Sequence, residues 1–475
     1  MAFDTGDTAW MLMSAALVCL MTPGLAFFYG GLVHHNSTLL IVFQSFVSMA
    51  IVDVVWYVIG YSMAFSGGEN NLGIIGDAEK AFLIGVDDTS ISGTIPEMVF
   101  FVYQMMFAII TPALITGAWA DRVRFHAYCM FLPYWLLLGG IVVHATAGMA
   151  AVASVMYVGS RPNPEATPHS IPLMAIGTAL LWFGWFGFNA GSALSVATEI
   201  DGIDYSVCAL AFVNTEISAS IAALVWMLLD WTIDGRPKLT GFLTGAIAGL
   251  ATITPAAGFV EAYAAIVIGC LAGAVCWLAV WLKNRWDFDD ALDVFGVHGV
   301  GGVLGSILLG LFATAKVNPS GADGAFYGGG GALFGKQIVA VLFASFHSFV
   351  FTYGGLWIID MIFPVTVIHG GPECELDQAE FGEVAYGTSS PSGSPFGSPK
   401  IISNTTATKR LTANKPKPSK KTLDVCEIPD RVLSFSSSRG NSPKHSWGNS
   451  PRGTSPKGVN GAQKADRIDE EKVEV

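Results

Sequence analysis

Apolar residues run along most of this chain in long unbroken stretches, with polar ones gathered in the gaps between. Runs of spanning length fall near 9–32, 38–65, 97–120, 171–196, 205–229, 239–258, 262–282, 294–314 and 335–363. None shows the period-2 alternation of a membrane barrel strand, so each predicts a transmembrane helix. Pro23, Pro112 and Pro255 fall inside runs, where neighbouring helices can partner the backbone that a proline frees. Residues 125–158 are ambiguous: as one straight helix these 34 residues would measure roughly 51 Å, one generous crossing but short of two at roughly 20 residues each.

Charge argues for two. Arg122 and Arg124, Arg161, Arg236 and Lys238, and Lys283 and Arg285 mark segments that the positive-inside rule assigns to the cytoplasm, while the acidic loops 66–96 and 197–204 belong outside. An outside N-terminus and a cytoplasmic tail are consistent with these only if 125–158 crosses twice, as a cramped hairpin turning at Gly139-Gly140, where glycine tolerates a tight backbone. Lys316 and Lys336 run against the rule.

The chain has 475 residues, 52% hydrophobic and 13% charged, with a mean hydropathy of +0.52. This excludes a soluble domain and identifies an all-α, polytopic membrane protein. The seven cysteines have no disulfide or metal spacing. A cleavable leader is not expected, since Met1 to Ala9 carries Asp4 and Asp7 but no base. Residues 1–384 hold 10 basic and 29 acidic groups and form the membrane domain; 385–475 hold 15 basic and 8 acidic ones, are rich in Ser, Pro and Gly, and read as a disordered cytoplasmic tail. Ser390, Ser394, Ser398, Ser442, Ser450 and Ser455 each precede Pro, so kinases or signalling proteins are candidate partners, and the tail's positive charge suits anionic lipid.

Ionisable residues inside the apolar runs are functional candidates. The stretch Asp293 to Gly302 carries His298, and 141–148 echoes it around His144: Val precedes each His, a small residue follows it, and Gly lies four residues on. That echo points to a duplicated transporter in which each half lends a helix to one path. A metal site ranks last, with no Cys or Glu at ligand spacing. Asp293 can cap its own helix, as can Asp290; Asp53 and Glu216 are further intramembrane acids, and His347 reads as packing. Trp182 to Ser192 closes one span with aromatic rings, Asn189 and the Ser192 hydroxyl. Aromatic faces attract a desolvated cation, so Trp185 and Ser192 are substrate-binding candidates at an outer mouth. Phe107, within Gln104 to Thr111, reads by itself as packing. No nucleotide loop, catalytic triad or nucleic-acid surface is present, so enzyme and nucleic-acid functions are set aside.

These residues resemble the ammonium transporters of the Amt/Mep/Rh group. The resemblance rests on Ala26 to Leu32 (Ala-Phe-Phe-Tyr-Gly-Gly-Leu), Gly184 to Ser192 (Gly-Trp-Phe-Gly-Phe-Asn-Ala-Gly-Ser), Ala211 to Asn214 and Asp293 to Gly299. It covers about 5–386, ending on Phe381 to Tyr386. It implies eleven helices, or ten with the short segment here, in an inverted five-plus-five repeat, a homotrimer with one pore per chain, placement in the plasma membrane, ammonium or ammonia as substrate and no cofactor. Matched residue by residue, it assigns Phe107 and Ser192 to an outer ammonium-recruiting site, Phe107 and Phe188 to a stacked gate, and His144 and His298 to paired pore histidines.

One departure is large. The family has a Trp and an Asp in an outer loop before the Val-Val-His helix, whereas here Leu132-Pro-Tyr-Trp135 runs almost directly into Gly139 to His144. A turn at Gly139-Gly140 puts His144 about 6 Å from it along a helix axis. The short segment therefore predicts impaired transport. Competing readings are an ammonium sensor or non-conducting isoform signalling through the tail, and a proton or monovalent-cation channel.

Overall fold

The computed structural model describes residues 3–67, 75–139, 143–161, 168–367 and 376–387. Within them, eight helices are long and apolar enough to cross a membrane, and three more are shorter but similarly apolar. In chain order they are α1 Thr5–Leu32, α2 His35–Phe65, α3 Glu97–Ile115, α4 Phe125–Leu138, α5 Val143–Val158, α6 Ile171–Gly191, α7 Val207–Asp234, α8 Leu239–Ile253, α9 Ala262–Arg285, α10 Phe295–Phe312 and α11 Ala332–Ile362. A short α12, Leu376–Phe381, follows. Eleven apolar helices thus stand among the described residues. The span expected over 239–258 stops at Ile253, ahead of Pro255, which has no N–H with which to continue the ladder.

Residues 125–158 form two helices, as charge required and length alone did not. Arg122 is the reason that both ends of the segment meet on one face. Its guanidinium donates to the carbonyls of Gly159 (2.5 Å), Asp289 (2.8 Å) and Ala118, and lies 3.4 Å from the Asp289 carboxylate. Arg161 also pairs with Asp289 (2.7 Å) and with Asp121 (3.4 Å). Residues before α4 and after α5 are therefore clamped to the loop before α10. Burial pulls the Arg122 guanidinium down to about 10 against the upward pull of Asp289. Gly139 accepts the C-terminal position of α4, its N–H bonded to the Trp135 carbonyl; Gly140, the second residue of the expected turn, lies outside the described residues.

Small residues let the halves approach closely, as packing between membrane helices requires. α1 lies along α6: a Cβ on Gly177 would sit 2.1 Å from the Phe28 nitrogen. On the basic face, α12 sits against the start of α2. Asp377 accepts the backbone N–H groups of Leu39 and Leu40, both at 2.9 Å, a carboxylate on the positive end of a helix. Phe381 packs against Phe43 and Phe125, and the Tyr386 hydroxyl lies 2.9 Å from His169 Nε2. The tail from residue 388 lies outside the described residues.

Candidate functional site

His144 stands at the start of α5 and His298 in a single π-turn, Phe295–Gly299, that opens α10. Wide turns of this kind recur at functional sites because they displace a side chain from the regular helical register. Both imidazoles are buried, and their Nδ1 atoms are 3.2 Å apart with rings inclined by 16°. Two Nδ1 atoms at that separation share one proton, one ring donating and the other accepting.

The repeated sequence pattern is what brings them together. A Cβ placed on Gly148, four residues after His144, would fall 2.0 Å from the Cα of Gly299, the residue after His298. A Cβ placed on Gly302, four residues after His298, would fall 2.7 Å from the nitrogen of Ala145, the residue after His144. Each half thus supplies a glycine notch for the residue following the other half's histidine, a reciprocal contact.

The rings above the pair form a continuous series. Trp185 stacks on His144 at 5.3 Å and 16°, and Phe188 at 5.7 Å and 27°. Phe107 meets Phe188 edge-on, 4.6 Å between centroids and 68° between planes, so these two rings are tilted rather than stacked. Trp185 is buried beside His144, its indole N–H donating to Thr254 Oγ1 at 2.9 Å, one layer deeper than an outer mouth. Ser192 lies nearer the surface, lining a cavity of about 210 Å³ with Asn189 and Asn318. Its hydroxyl donates to the Phe188 carbonyl at 2.7 Å, while Asn189 donates to Thr215 Oγ1 at 2.9 Å and braces α6 against α7.

Between the aromatic rings and the histidines the free space is about 10 Å³, walled by apolar side chains such as Met21, Leu25, Ile110 and Leu114. That is room for about one water-sized probe. His144 Nε2 is buried there with no protein hydrogen-bond partner among the described residues. Past His298 the path widens into a cavity of about 530 Å³ on the basic face, lined also by Lys283, Asp289 and Asp293.

Asp293 pairs with Lys283 at 2.5 Å. The cap of α10 falls to the neighbouring Asp290, whose Oδ2 accepts the Phe295 N–H at 2.7 Å. Asp293 has a φ of +61°, a left-handed conformation that carries the backbone into the helix. Burial pushes the Asp290 carboxyl up to about 6, with Lys283 pulling the other way.

Other candidates fall away from this path. Trp182 donates its indole N–H to exposed Glu216 at 2.9 Å, and Asp53 is half-buried on α2. His347, expected only to pack, lies with Nε2 2.6 Å from the carbonyl of Leu138, the last residue of α4. Sequence reading missed Tyr103, whose hydroxyl donates to the carbonyls of Gly187 (3.0 Å) and Phe188 (2.9 Å) and lies 3.1 Å from Ser192 Oγ. Its spacing of four from Phe107 on one helix face was the available signal.

A sequence profile described as the Ammonium Transporter Family matches residues 9–138 and 137–386, in two pieces that meet where the outer segment is short. An ammonium transporter of Bacillus subtilis (strain 168) is 42% identical over 409 residues, covering 80% of this chain and 98% of its own length. Ammonium transporter Amt1 of Archaeoglobus fulgidus is 38% identical, with 80% of this chain and 99% of its own length covered. Among solved structures, Saccharomyces cerevisiae Mep2 superposes with a TM-score of 0.70 at 30% identity, covering 78% of this chain and 88% of that one.

Proposed function

The chain belongs to the Ammonium Transporter Family, and from that premise we propose that it moves ammonium across the membrane as ammonia, with the proton handled by the histidine pair. The observation that carries the reading is the Nδ1 to Nδ1 contact of 3.2 Å between His144 and His298 beneath a dry aromatic constriction. A bare cation is strongly disfavoured in such a space. Ammonium can shed its proton at the Phe107 and Phe188 rings and continue neutral, which potassium cannot do. His144 Nε2 is an unpaired nitrogen on that route, able to hydrogen-bond ammonia, and the shared Nδ1 proton gives a relay.

Recruitment is the reduced part. Phe107 and Ser192 form one side of an outer site, and the family's outer Trp and Asp have no counterpart here. We therefore expect slow, low-affinity uptake. The same absence favours a second reading, an ammonium sensor that signals through its tail without conducting. Family membership and the positive-inside rule further support a homotrimer with one pore per chain, an outside N-terminus, a cytoplasmic basic face and residence in the plasma membrane.

Uptake of methylammonium by transport-deficient cells expressing this chain, compared with its His298→Ala variant, tests the proposal. Measurable uptake that the variant loses, or with altered selectivity over potassium, supports transport through the pair. Equal uptake by both, at equal surface expression, overturns the relay. No uptake by either, with signalling intact, favours the sensor.

A further inference from the structure

We propose that the basic-side ends of α7 and α9 form a binding site for the headgroup of one anionic phospholipid, its phosphate held between Arg236 and Arg285. The two helices run in the same direction and lie in a fixed register. A Cβ on Gly269 would fall 2.8 Å from the Ser218 carbonyl, and one on Gly273 2.8 Å from the Ala222 carbonyl. Residues of α9 therefore stand beside residues of α7 numbered lower by 51 (269 − 218 and 273 − 222). The same offset carried to the end of α9 sets Arg285 beside Asp234 (285 − 51), the last residue of α7. Arg236 follows two residues later, so both arginines come to one level where the helices leave the hydrocarbon.

Their donors are free, and one set is already fixed in place. Arg285 lies over the Trp281 ring, its guanidinium carbon 3.9 Å from the centroid. Trp281 in turn stacks on Trp277 at 6.3 Å and 20°, and the Trp277 indole N–H donates to Asp230 Oδ1 on α7 at 2.9 Å. That series of contacts anchors the last turns of α9 to α7. A guanidinium stacked on a ring keeps its N–H groups in its own plane, where they match the oxygens of a phosphate. Both arginines are exposed, and neither has a hydrogen bond or ion pair with a described residue. Lys238 pairs with Asp234, and the next acid along the chain, Asp287, lines the inner cavity instead. Two uncompensated cations remain, one more than a single phosphodiester neutralises, which favours an anionic headgroup over a zwitterionic one.

The surroundings select a lipid over a free phosphate. Trp231 is 51% exposed and Trp286 74%, large rings of the kind that settle at headgroup level. Toward the membrane centre, Leu224, Leu228 and Leu278 are exposed as well, which gives acyl chains an apolar wall along the same two helices. Basic residues and tryptophans are common at membrane edges. What sets this edge apart is a guanidinium already stacked, with a second unpaired arginine at its level. The site rests on the membrane fold and stands whether or not the chain conducts.

Native mass spectrometry of the purified full-length protein in detergent, titrated with phosphatidylglycerol and separately with phosphatidylcholine, provides the test. Phosphatidylglycerol should bind the parent chain more tightly. The double variant Arg236→Gln with Arg285→Gln, which leaves the basic tail intact, should lose about thirty-fold in that affinity, the worth of two basic residues at a membrane surface, with phosphatidylcholine binding unchanged. Arg285→Lys keeps the charge but loses the planar fork, and should fall between the two. Equal phosphatidylglycerol affinity in the parent and the double variant would overturn the proposal, whether the lipid then sits on the tail or another copy covers this face. Should the double variant not stay monodisperse, Arg236→Gln alone, in the connection from α7 to α8, is expected to cost about five-fold, and no loss there overturns the proposal equally. Glycerol 1-phosphate in place of the lipid separates the two sources of phosphate: binding as tight as the lipid's means a soluble ligand and overturns the lipid assignment.

Discussion

Replacing Gly148 by alanine tests whether the reciprocal glycine contact sets the histidine spacing. The added Cβ would lie 2.0 Å from Gly299 Cα, and ordinary contact begins near 3.4 Å, so α5 and α10 must part by about 1.4 Å if the strain is relieved along that line. Carried to the histidines, which precede this contact by four residues and one residue, the same shift takes Nδ1 to Nδ1 from 3.2 Å to about 4.6 Å, beyond any hydrogen bond. Forced overpacking of this kind costs about 1–3 kcal/mol, too little on its own to prevent folding of a well-packed membrane domain. Gly335→Ala is the control, because a Cβ there meets nothing within 4 Å. Methylammonium uptake per surface molecule should fall in Gly148→Ala to the level of His144→Ala and stay unchanged in Gly335→Ala, with thermal stability in detergent lowered only in the first. Uptake by folded Gly148→Ala equal to that of the parent chain would refute the link between the glycine notch and the relay.

Three further outcomes follow from contacts elsewhere. Arg122→Met should lower stability by about 1–3 kcal/mol, since it takes the donor from the Gly159 and buried Asp289 carbonyls while Arg161 keeps the Asp289 carboxylate paired, and thermal unfolding in detergent measures it. His347→Ala should cost about 0.5–1.5 kcal/mol by removing the hydrogen bond to the Leu138 carbonyl, whereas His347→Gln should restore much of it. Burial pushes the Asp377 carboxyl up to about 6, with the Leu39 and Leu40 N–H groups opposing. The docked form therefore takes up a proton between its ordinary value near 3.8 and about 6, so docking of α12 strengthens as pH falls from 7 to 5 and weakens on return. Protease cleavage between α11 and α12 reads this directly: slower cutting at pH 5 is expected, with no pH effect in Asp377→Asn.

The helices were legible because long apolar runs have one stable form in a bilayer, and the fold class followed from them. Residues 125–158 show the limit of length as a guide. Fourteen- and sixteen-residue helices fall under the usual spanning length, yet the cost of moving Arg122 or Arg161 to the wrong face exceeded that of a short crossing. The histidine pair could be inferred from the echo of Val-His and Gly around 144 and 298, because a repeat in sequence is a repeat in backbone. The depth of Trp185 was not legible: with Phe188, it lies on the His144 side of its helix, and only the partner helices decide which ring is nearer the mouth. Asp289 and Tyr103 were hidden for a related reason. Their partners lie 128 residues away for Arg161 and 84 or more for the α6 carbonyls and Ser192, so no local pattern points to those partners, and for Tyr103 only its spacing of four from Phe107 marks the face.

The short α4 and α5 also bear on where the protein can reside. At 14 and 16 residues they measure about 21 and 24 Å, against a hydrocarbon core of roughly 30 Å. Because Arg122 ties Gly159 to the loop at Asp289 and Arg161 joins Asp121 to the same Asp289, all on the basic side, the deficit appears at the opposite leaflet, beside α11 with its 31 residues. That leaflet must dip over α4 and α5 while standing at full height a helix away. Such a mismatch costs fractions of a kcal/mol per ångström, and it grows from the thinner endoplasmic reticulum bilayer to the thicker plasma membrane. A thicker bilayer therefore strains α4 and α5 more than a thinner one does, the more so the longer the acyl chains around them.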